Sequence, residues 1–326
     1  MHSSSIILAA SFAAICQGYS TLRPIQKRQS SCPSVWTEVA TDLQSSFVSD
    51  GTCTDAARQA IRLSFHDCFP GSCDGSIITA NECTDRGENS QMTEICGTLG
   101  EKSTSFNVSN ADLIQFAAAI GIASCDGGFT TSFYAGRTDT DTANPTGQMP
   151  GANINATALV SLFTSKGFTK TELVALSGAH TIGKQLNGSA MDTSVGKFDS
   201  GFYKSVSDGS ANPINADKYM SNSSDTKTEW NSVGASQTSF QDAFVPAMEK
   251  MSLMGWDKAD LTDCSDIISG FASGSLKQSS VVESGSSQGS TSSGDDATKT
   301  GSATRNGDVA RGAILAFVSA VIISWI

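Results

Sequence analysis

Arg62-Leu-Ser-Phe-His-Asp-Cys-Phe-Pro-Gly-Ser-Cys-Asp-Gly-Ser76 is the stretch from which the rest of the chain can be read. Arg62, Phe65 and His66 stand at i, i+3 and i+4, so on a helix they share one face. A guanidinium and an imidazole beside an aromatic ring suit a buried polar reaction better than a packed core. Beyond them, Asp67, Asp74 and Ser76 crowd oxygens into a loop stiffened by Pro70 and Cys73, as a hard cation such as calcium favours. The chain has three histidines, and His2 falls in a segment expected to be removed. That leaves His66 and His180, the latter closing the apolar stretch Leu173-Val-Ala-Leu-Ser-Gly-Ala-His-Thr-Ile-Gly183. Two imidazoles, each on its own helix, predict that something is held between them.

At 326 residues the chain can form one large domain or two modest ones with a sizeable core. Hydrophobic residues make up 39% and charged residues only 16%, with a net charge of −11. An acidic surface argues against nucleic acid and against anionic membranes. It fits a secreted protein in mildly acidic surroundings. Of nine cysteines, Cys16 lies in an N-terminal apolar run. The other eight read as four disulfides formed in an oxidising compartment, and the lack of any Cys-x-x-Cys pair disfavours structural zinc.

The apolar run from Ile6 to Cys16, followed by Gln17 and Gly18, predicts a signal peptide over residues 1–18. Lys27-Arg28 then offers a processing point for a propeptide over 19–28, an exposed basic pair being the equal alternative. Residues 29–272 are the expected folded domain. Val35, Val39 and Leu43 recur at helical spacing, as do Ala57, Ile61 and Phe65, and Leu113, Phe116, Ala117 and Ile120. Ser109 or Asn110 would cap the last of these. Thr169-x-x-Glu172 and Thr238-x-x-Gln241 read as capping boxes. Alternating strands are absent, and 126–141 and 187–198 read as ordered loops, so the predicted class is all-α with long loops. Asn107, Asn155, Asn187 and Asn222 each open a glycosylation sequon.

Residues 273–308 are a Ser/Gly/Thr-rich linker too polar to bury a core. Residues 309–326 end in an apolar run of about fourteen residues, short of the roughly twenty a span needs. A small-residue site, a spacer and an apolar tail predict a GPI-attachment signal, with Gly301-Ser302-Ala303 or Asn306-Gly307 as the site. The alternative is a true membrane tail.

Taken together, Arg62-x-x-Phe65-His66-Asp67, Leu176-Ser-Gly-Ala-His180-Thr181, Met191-Asp-Thr-Ser-Val-Gly-Lys-Phe-Asp199-Ser200 and Leu261-Thr-Asp-Cys-Ser-Asp-Ile267 resemble the plant-type haem peroxidase superfamily, in particular its secreted fungal and plant branches. The resemblance covers about residues 32–268. It implies two mostly helical lobes, 32–150 and 151–271, with haem b between them. His180 would ligate the iron, and Asp217, thirteen residues before Trp230, would accept its other N–H. His66 would move a proton between the two oxygens of hydrogen peroxide, Arg62 would stabilise the departing oxygen, and Asn89 would hold the His66 tautomer. Phe65 would lie over the haem and Pro150 at the donor entrance.

Two Ca²⁺ ions are implied in the same way. The distal one would take the side chains of Asp67, Asp74 and Ser76 with carbonyls of Asp67, Pro70 and Ser72. The proximal one would take Thr181, Asp192, Ser194 and Asp199 with the Lys197 carbonyl. The resemblance also implies Cys32–Cys264, Cys53–Cys125 and Cys68–Cys73, with Cys83–Cys96 the remaining pair.

Departures bear on the substrate. Ala152 replaces a second proline near the donor entrance, and Asn110 and Thr228 stand where one branch or the other has cysteine. Manganese-binding carboxylates would fall at Asp55, Gln59 and Leu186, only one of which is acidic. A surface electron-relay tryptophan would fall at Ala175, while Trp36, Trp230 and Trp256 are expected to pack inside. The expectation is a generic low-potential peroxidase, monomeric and secreted. It would reduce hydrogen peroxide to water by one-electron oxidation of small aromatic or phenolic donors, and would meet a membrane only through its anchor. The alternative is a catalytically weak cell-surface haem protein serving wall attachment or another interaction.

Overall fold

The computed structural model describes residues 31–185 and 187–269. The expected signal peptide, propeptide, linker and GPI signal, and Leu186, lie outside the described residues. The described chain is mostly helical, as its apolar spacing predicts. Its first half contains α1 (Val35–Phe47), α2 (Asp55–Cys68), the short α3 (Ser76–Thr79) and α4 (Glu82–Asp85), α5 (Thr93–Phe106) and α6 (Asn110–Ser124). The second contains α7 (Ala156–Ser165), α8 (Lys170–Ser177), α9 (Gly201–Asp208), α10 (Asn215–Asn222), α11 (Lys227–Val233), α12 (Gln237–Ser252) and α13 (Ser265–Ser269).

α6 is the centre of the first group. It is buried from Ala111 through Ser124 on every side, the signature of a helix apolar all round. Ser109 is its cap, accepting from Asp112 N at 3.1 Å. α2 lies along α6 at close range: a Cβ on Gly121 would fall 2.9 Å from the Ala57 carbonyl, so only glycine permits this approach. α2 starts where Thr54 caps Ala57 N, and it buries Ala57, Ala60 and Leu63. Trp36 meets both Phe116 and Phe133 at 4.8 Å.

The second group gathers around α8, which packs on α7, α11 and α12. Its predicted capping box forms, Glu172 N donating to Thr169 Oγ1 at 3.2 Å and Thr169 N to Glu172 Oε2 at 2.7 Å. Two local expectations are corrected. α8 ends at Ser177, and His180 lies in a 3₁₀ turn, Gly178–Ile182, that passes so close to Phe240 that a Cβ on Gly178 would fall 2.3 Å from its ring. The Thr238-x-x-Gln241 box does not form, since Ser236 already caps α12 by accepting from Ser239 N at 3.0 Å.

Four two-residue strands pair antiparallel: β1 (Val48–Ser49) with β2 (Thr52–Cys53), and β3 (Tyr134–Ala135) with β4 (Thr262–Asp263). β3 falls inside the predicted 126–141 loop and ties it to the end of the domain. All four disulfides are present with the expected partners, Cys32–Cys264, Cys53–Cys125, Cys68–Cys73 and Cys83–Cys96. Trp36 and Trp230 are buried, and the half-buried Trp256 donates to the Cys73 carbonyl at 2.8 Å. Beneath β3, Arg137 forms a buried ion pair with Asp112 at 2.9 Å. No described helix is long and apolar enough to cross a membrane.

Candidate active site

Between α2 and the His180 turn lies a cavity of about 620 Å³, inside the range of roughly 300–1,000 Å³ typical of cofactor sites. α2 supplies Ile61, Arg62 and Phe65 to its wall, and the α8 end supplies Leu176, Ala179 and His180. Pro150, placed at the donor entrance by resemblance, lines it too.

On the α2 side the expected trio is assembled, with one difference. Arg62 lines the cavity, whereas the buried His66 does not. Arg62 Nε donates to His66 Nε2 at 3.2 Å, so the guanidinium covers that nitrogen. His66 Nδ1 meets Asn89 Oδ1 at 2.7 Å, and Asn89 Nδ2 donates to the Glu82 carbonyl at 3.0 Å. The second bond fixes the amide with its oxygen toward His66, so the imidazole carries its proton on Nδ1 and keeps Nε2 basic. Burial, with the Arg62 charge beside it, pushes the His66 imidazole down to about 3, although the Asn89 contact pulls the other way.

Two further partners of Arg62 were not legible in the sequence. Nη1 donates to Gln91 Oε1 at 2.7 Å and Nη2 to the Glu88 carbonyl at 3.3 Å. Both come from the 3₁₀ segment Gly87–Met92.

On the other side His180 Nδ1 lies 3.0 Å from both oxygens of Asp217, a fully buried carboxylate on α10. A carboxylate accepts only, so Nδ1 carries the proton and Nε2 is the nitrogen left for a ligand. The Phe202 ring stands nearly perpendicular to the His180 ring at 6.2 Å, a contact that spacing alone did not reveal. Phe65 lines the cavity, with Phe163 stacked on it at 6.4 Å.

A haem fits these residues. The lining is largely apolar, one imidazole nitrogen is free to bind a metal, and Arg58 on the wall has a buried Nε with no hydrogen-bond partner. A carboxylate on the bound group would satisfy that donor. Asp55 accepts from Lys184 Nζ at 2.7 Å and from Arg58 Nη1 at 2.6 Å, and the Lys184 bond chiefly holds its carboxyl below the usual range. That carboxylate is committed to two cations. Ala175 is fully buried, so the relay-tryptophan position is not at the surface.

In the Asp67–Ser76 loop, fully buried Asp67 accepts from Gly75 N at 3.2 Å and Ile77 N at 3.5 Å, while Asp74 Oδ1 accepts from Ser76 N at 3.1 Å. Burial, then the Asp74 charge, pushes the Asp67 carboxyl up. Ser76 Oγ donates to the buried Glu82 at 2.8 Å. Asn144 Nδ2 donates to Ser76 Oγ at 2.9 Å and the Asp67 carbonyl at 3.2 Å, so a cation here must take both oxygens from that amide. Ser72 lies beside Gly255, outside this bonded set. In the second loop Thr181 Oγ1 donates to Asp192 Oδ2 at 2.9 Å and the Lys197 carbonyl at 3.1 Å. Ser194 Oγ bridges Asp192 and Asp199, at 3.2 Å to each. Among the described residues no cluster of three or more His, Cys, Asp or Glu forms; each loop pairs two carboxylates with hydroxyl and carbonyl oxygens.

Residues 39–263 match the peroxidase family, and residues 239–289 match the fungal peroxidase extension region. The chain is 30% identical over 273 residues to a peroxidase of Arthromyces ramosus, covering 72% of this chain and 75% of the relative. It is 28% identical over 266 residues to a versatile peroxidase of Pleurotus eryngii, covering 70% and 72%. It is 29% identical over 259 residues to a low-redox potential peroxidase of Taiwanofungus camphoratus, covering 72% and 77%. Matched by the family across most of its described length, the chain belongs to the plant-type haem peroxidases, oxidoreductases that act on hydrogen peroxide.

Proposed function

We propose that this peroxidase works at the α2 cavity as a generic low-potential enzyme on small aromatic or phenolic donors, with His66 as the acid–base group and His180 as the iron ligand. One observation carries the reading. A neutral imidazole whose Nε2 is kept basic by Asn89 stands beside a guanidinium, and that guanidinium and His180 line one cavity. His180 Nε2 would hold the haem iron, and the haem would supply the redox chemistry, accepting single electrons from the donors to balance the reduction of peroxide. His66 Nε2 takes a proton from one peroxide oxygen and returns it to the other, which departs as water. Before that, Arg62 Nε must leave Nε2 and turn its charge toward the departing oxygen. Gln91 and the Glu88 carbonyl hold the far end of the guanidinium meanwhile.

The low-potential reading is supported by the committed Asp55, the neutral Gln59 and the buried Ala175. The relative from Taiwanofungus camphoratus is itself called a low-redox potential peroxidase. The wall-attachment alternative draws no support from relatives that are named peroxidases.

The acid limb tests the base. With its imidazole held down to about 3, His66 stays unprotonated through neutral and mildly acidic pH. Stopped-flow rates for the peroxide reaction are expected to be flat from pH 7 to about 4 and to fall toward pH 3. An inflection near the unperturbed histidine value of about 6.5 would contradict the assignment. Stability carries the same sign. The unfolded chain binds a proton below about 6.5 that the folded one refuses until about 3, so stability is full above that window and lost as pH falls through it.

Calcium is proposed at both loops, on the oxygen sets described. Thr181 follows His180 and Asp67 follows His66, so each loop is chained to one histidine. Exhaustive chelation is expected to lower activity and the melting temperature together. Occupancy at a hundred times Kd is worth about 3 kcal/mol per site. If neither quantity moved, the ligand sets would be wrong.

Secretion through the N-terminal signal and anchoring through the C-terminal one complete the reading. All four sequon asparagines, Asn107, Asn155, Asn187 and Asn222, are exposed, which supports a glycoprotein. A Soret band together with peroxide-dependent guaiacol oxidation by the purified protein tests the function. A Soret band without turnover would leave only haem binding.

A further inference from the structure

We propose that Asn187 carries an N-linked glycan that stands on the rim of the cavity and limits the size of donor admitted there. The inference rests on the peroxidase and secretory readings above. Of the four sequon asparagines, Asn187 is the one that lines the cavity, together with Gly188, Lys184 and Gln185.

Its local chemistry suits modification. The side chain is exposed, and Oδ1 accepts from Ser189 N at 2.9 Å. Nδ2, the nitrogen that is glycosylated, has no hydrogen-bond partner among the described residues. Asn222 differs, because its Nδ2 donates to the Lys218 carbonyl at 2.9 Å. Gly188, at the middle sequon position, takes φ +80°, a left-handed turn that glycine adopts without strain.

The attachment point is tied down. Gln185 N donates to the Ser189 carbonyl at 2.8 Å, and Gly188 N to the Gln185 carbonyl at 2.8 Å. Gln185 Nε2 donates to the Asn212 carbonyl at 2.6 Å, and Lys184 holds Asp55 across the rim. A sugar fixed there cannot swing its anchor clear of the opening.

The co-reactant is a lipid-pyrophosphate-linked oligosaccharide of the secretory route. A C–N bond forms between Nδ2 and the anomeric carbon, the C–O bond to pyrophosphate breaks, and Nδ2 loses one proton. The hydrated glycan then occupies space above the Lys184–Asp55 rim. Hydrogen peroxide and monocyclic phenols pass it, whereas large multi-ring donors collide with it.

The test uses the full holoenzyme secreted from a eukaryotic host, beside its Ser189→Ala variant, which destroys the sequon without touching Asn187. Peptide mass mapping is expected to find hexose-bearing Asn187 in the parent and bare Asn187 in the variant. For a bulky azo-dye donor kcat/KM is expected to rise at least about threefold in the variant, while guaiacol stays within about twofold. Endoglycosidase treatment of the native parent, at retained Soret absorbance, is expected to reproduce the dye result. An unmodified Asn187 in the secreted parent overturns the proposal, and so does unchanged dye oxidation after glycan loss. Absent turnover of both donors in every form would instead defeat the peroxidase reading, and the size limit with it, whatever the masses show.

Discussion

Replacing His66 with Leu is expected to leave haem bound and to slow the reaction with hydrogen peroxide by about 10²–10⁴-fold, the span attributed to one positioned acid–base group. His180, the proposed iron ligand, and Asp217, which pairs with it, sit on elements remote in sequence from α2, so the Soret band should survive. Among the described residues, nothing beside His66 could stand in for the proposed base. Arg62 is a guanidinium and cannot accept a proton at working pH, and Gln91 and Asn89 are neutral amides. The substitution strands Asn89 Oδ1, a buried acceptor, at a stability cost of about 1–3 kcal/mol. A melting curve should therefore accompany the stopped-flow trace. Near-normal peroxide kinetics in a folded His66→Leu protein would remove this residue from the chemistry.

The second large effect is on the fold. Arg137 has a side chain of 0% exposure, and its Nη1 pairs with Asp112 at 2.9 Å. It also donates to the Tyr134 carbonyl, while Nη2 donates to the Ser252 carbonyl at 2.7 Å. Asp112 in turn accepts from Gly136 N at 2.6 Å and Arg137 N at 3.1 Å. The pair thus joins α6, the β3 exit and the end of α12. Burial pushes the Asp112 carboxyl up and the Arg137 guanidinium down, so each ion is desolvated and leans on its partner. Asp112→Ala leaves an uncompensated buried cation and is expected to cost about 3–5 kcal/mol. At roughly 2–4 °C per kcal/mol for a domain of this size, the melting temperature should fall by about 6–20 °C. A drop within about 2 °C would mean that water reaches Arg137 and that the pair is not truly buried. Asp112→Ala with Arg137→Met should recover part of the loss, since removing both charges avoids the orphan.

How far the sequence could be read follows the range of the interactions involved. The Arg62, Phe65 and His66 face and the Thr169 capping box are set within four residues, and the helix geometry then leaves them little freedom, whereas the choice between Ser109 and Asn110 as a cap was left to the structure. The α6 helix was legible as apolar but not as central, because a segment buried on every side has no polar face to orient it. The disulfide partners came from family resemblance, and the folded chain brings the same sulfurs together. Thr238 failed as a cap for a local reason: another hydroxyl two residues earlier reached the helix start first.

By itself, then, the sequence determined the helical class, the identity of the two histidines and the oxygen-rich loops, because these depend on residue type and short spacing. Only the tertiary structure decided that Arg62 covers His66, that Gln91 holds Arg62, that Phe202 stands against His180 and that Asn187 reaches the cavity rim. Each of these joins side chains from separate elements. Their meeting depends on how closely helices approach, as at Gly121 and Gly178, and no periodicity along a single segment encodes that distance.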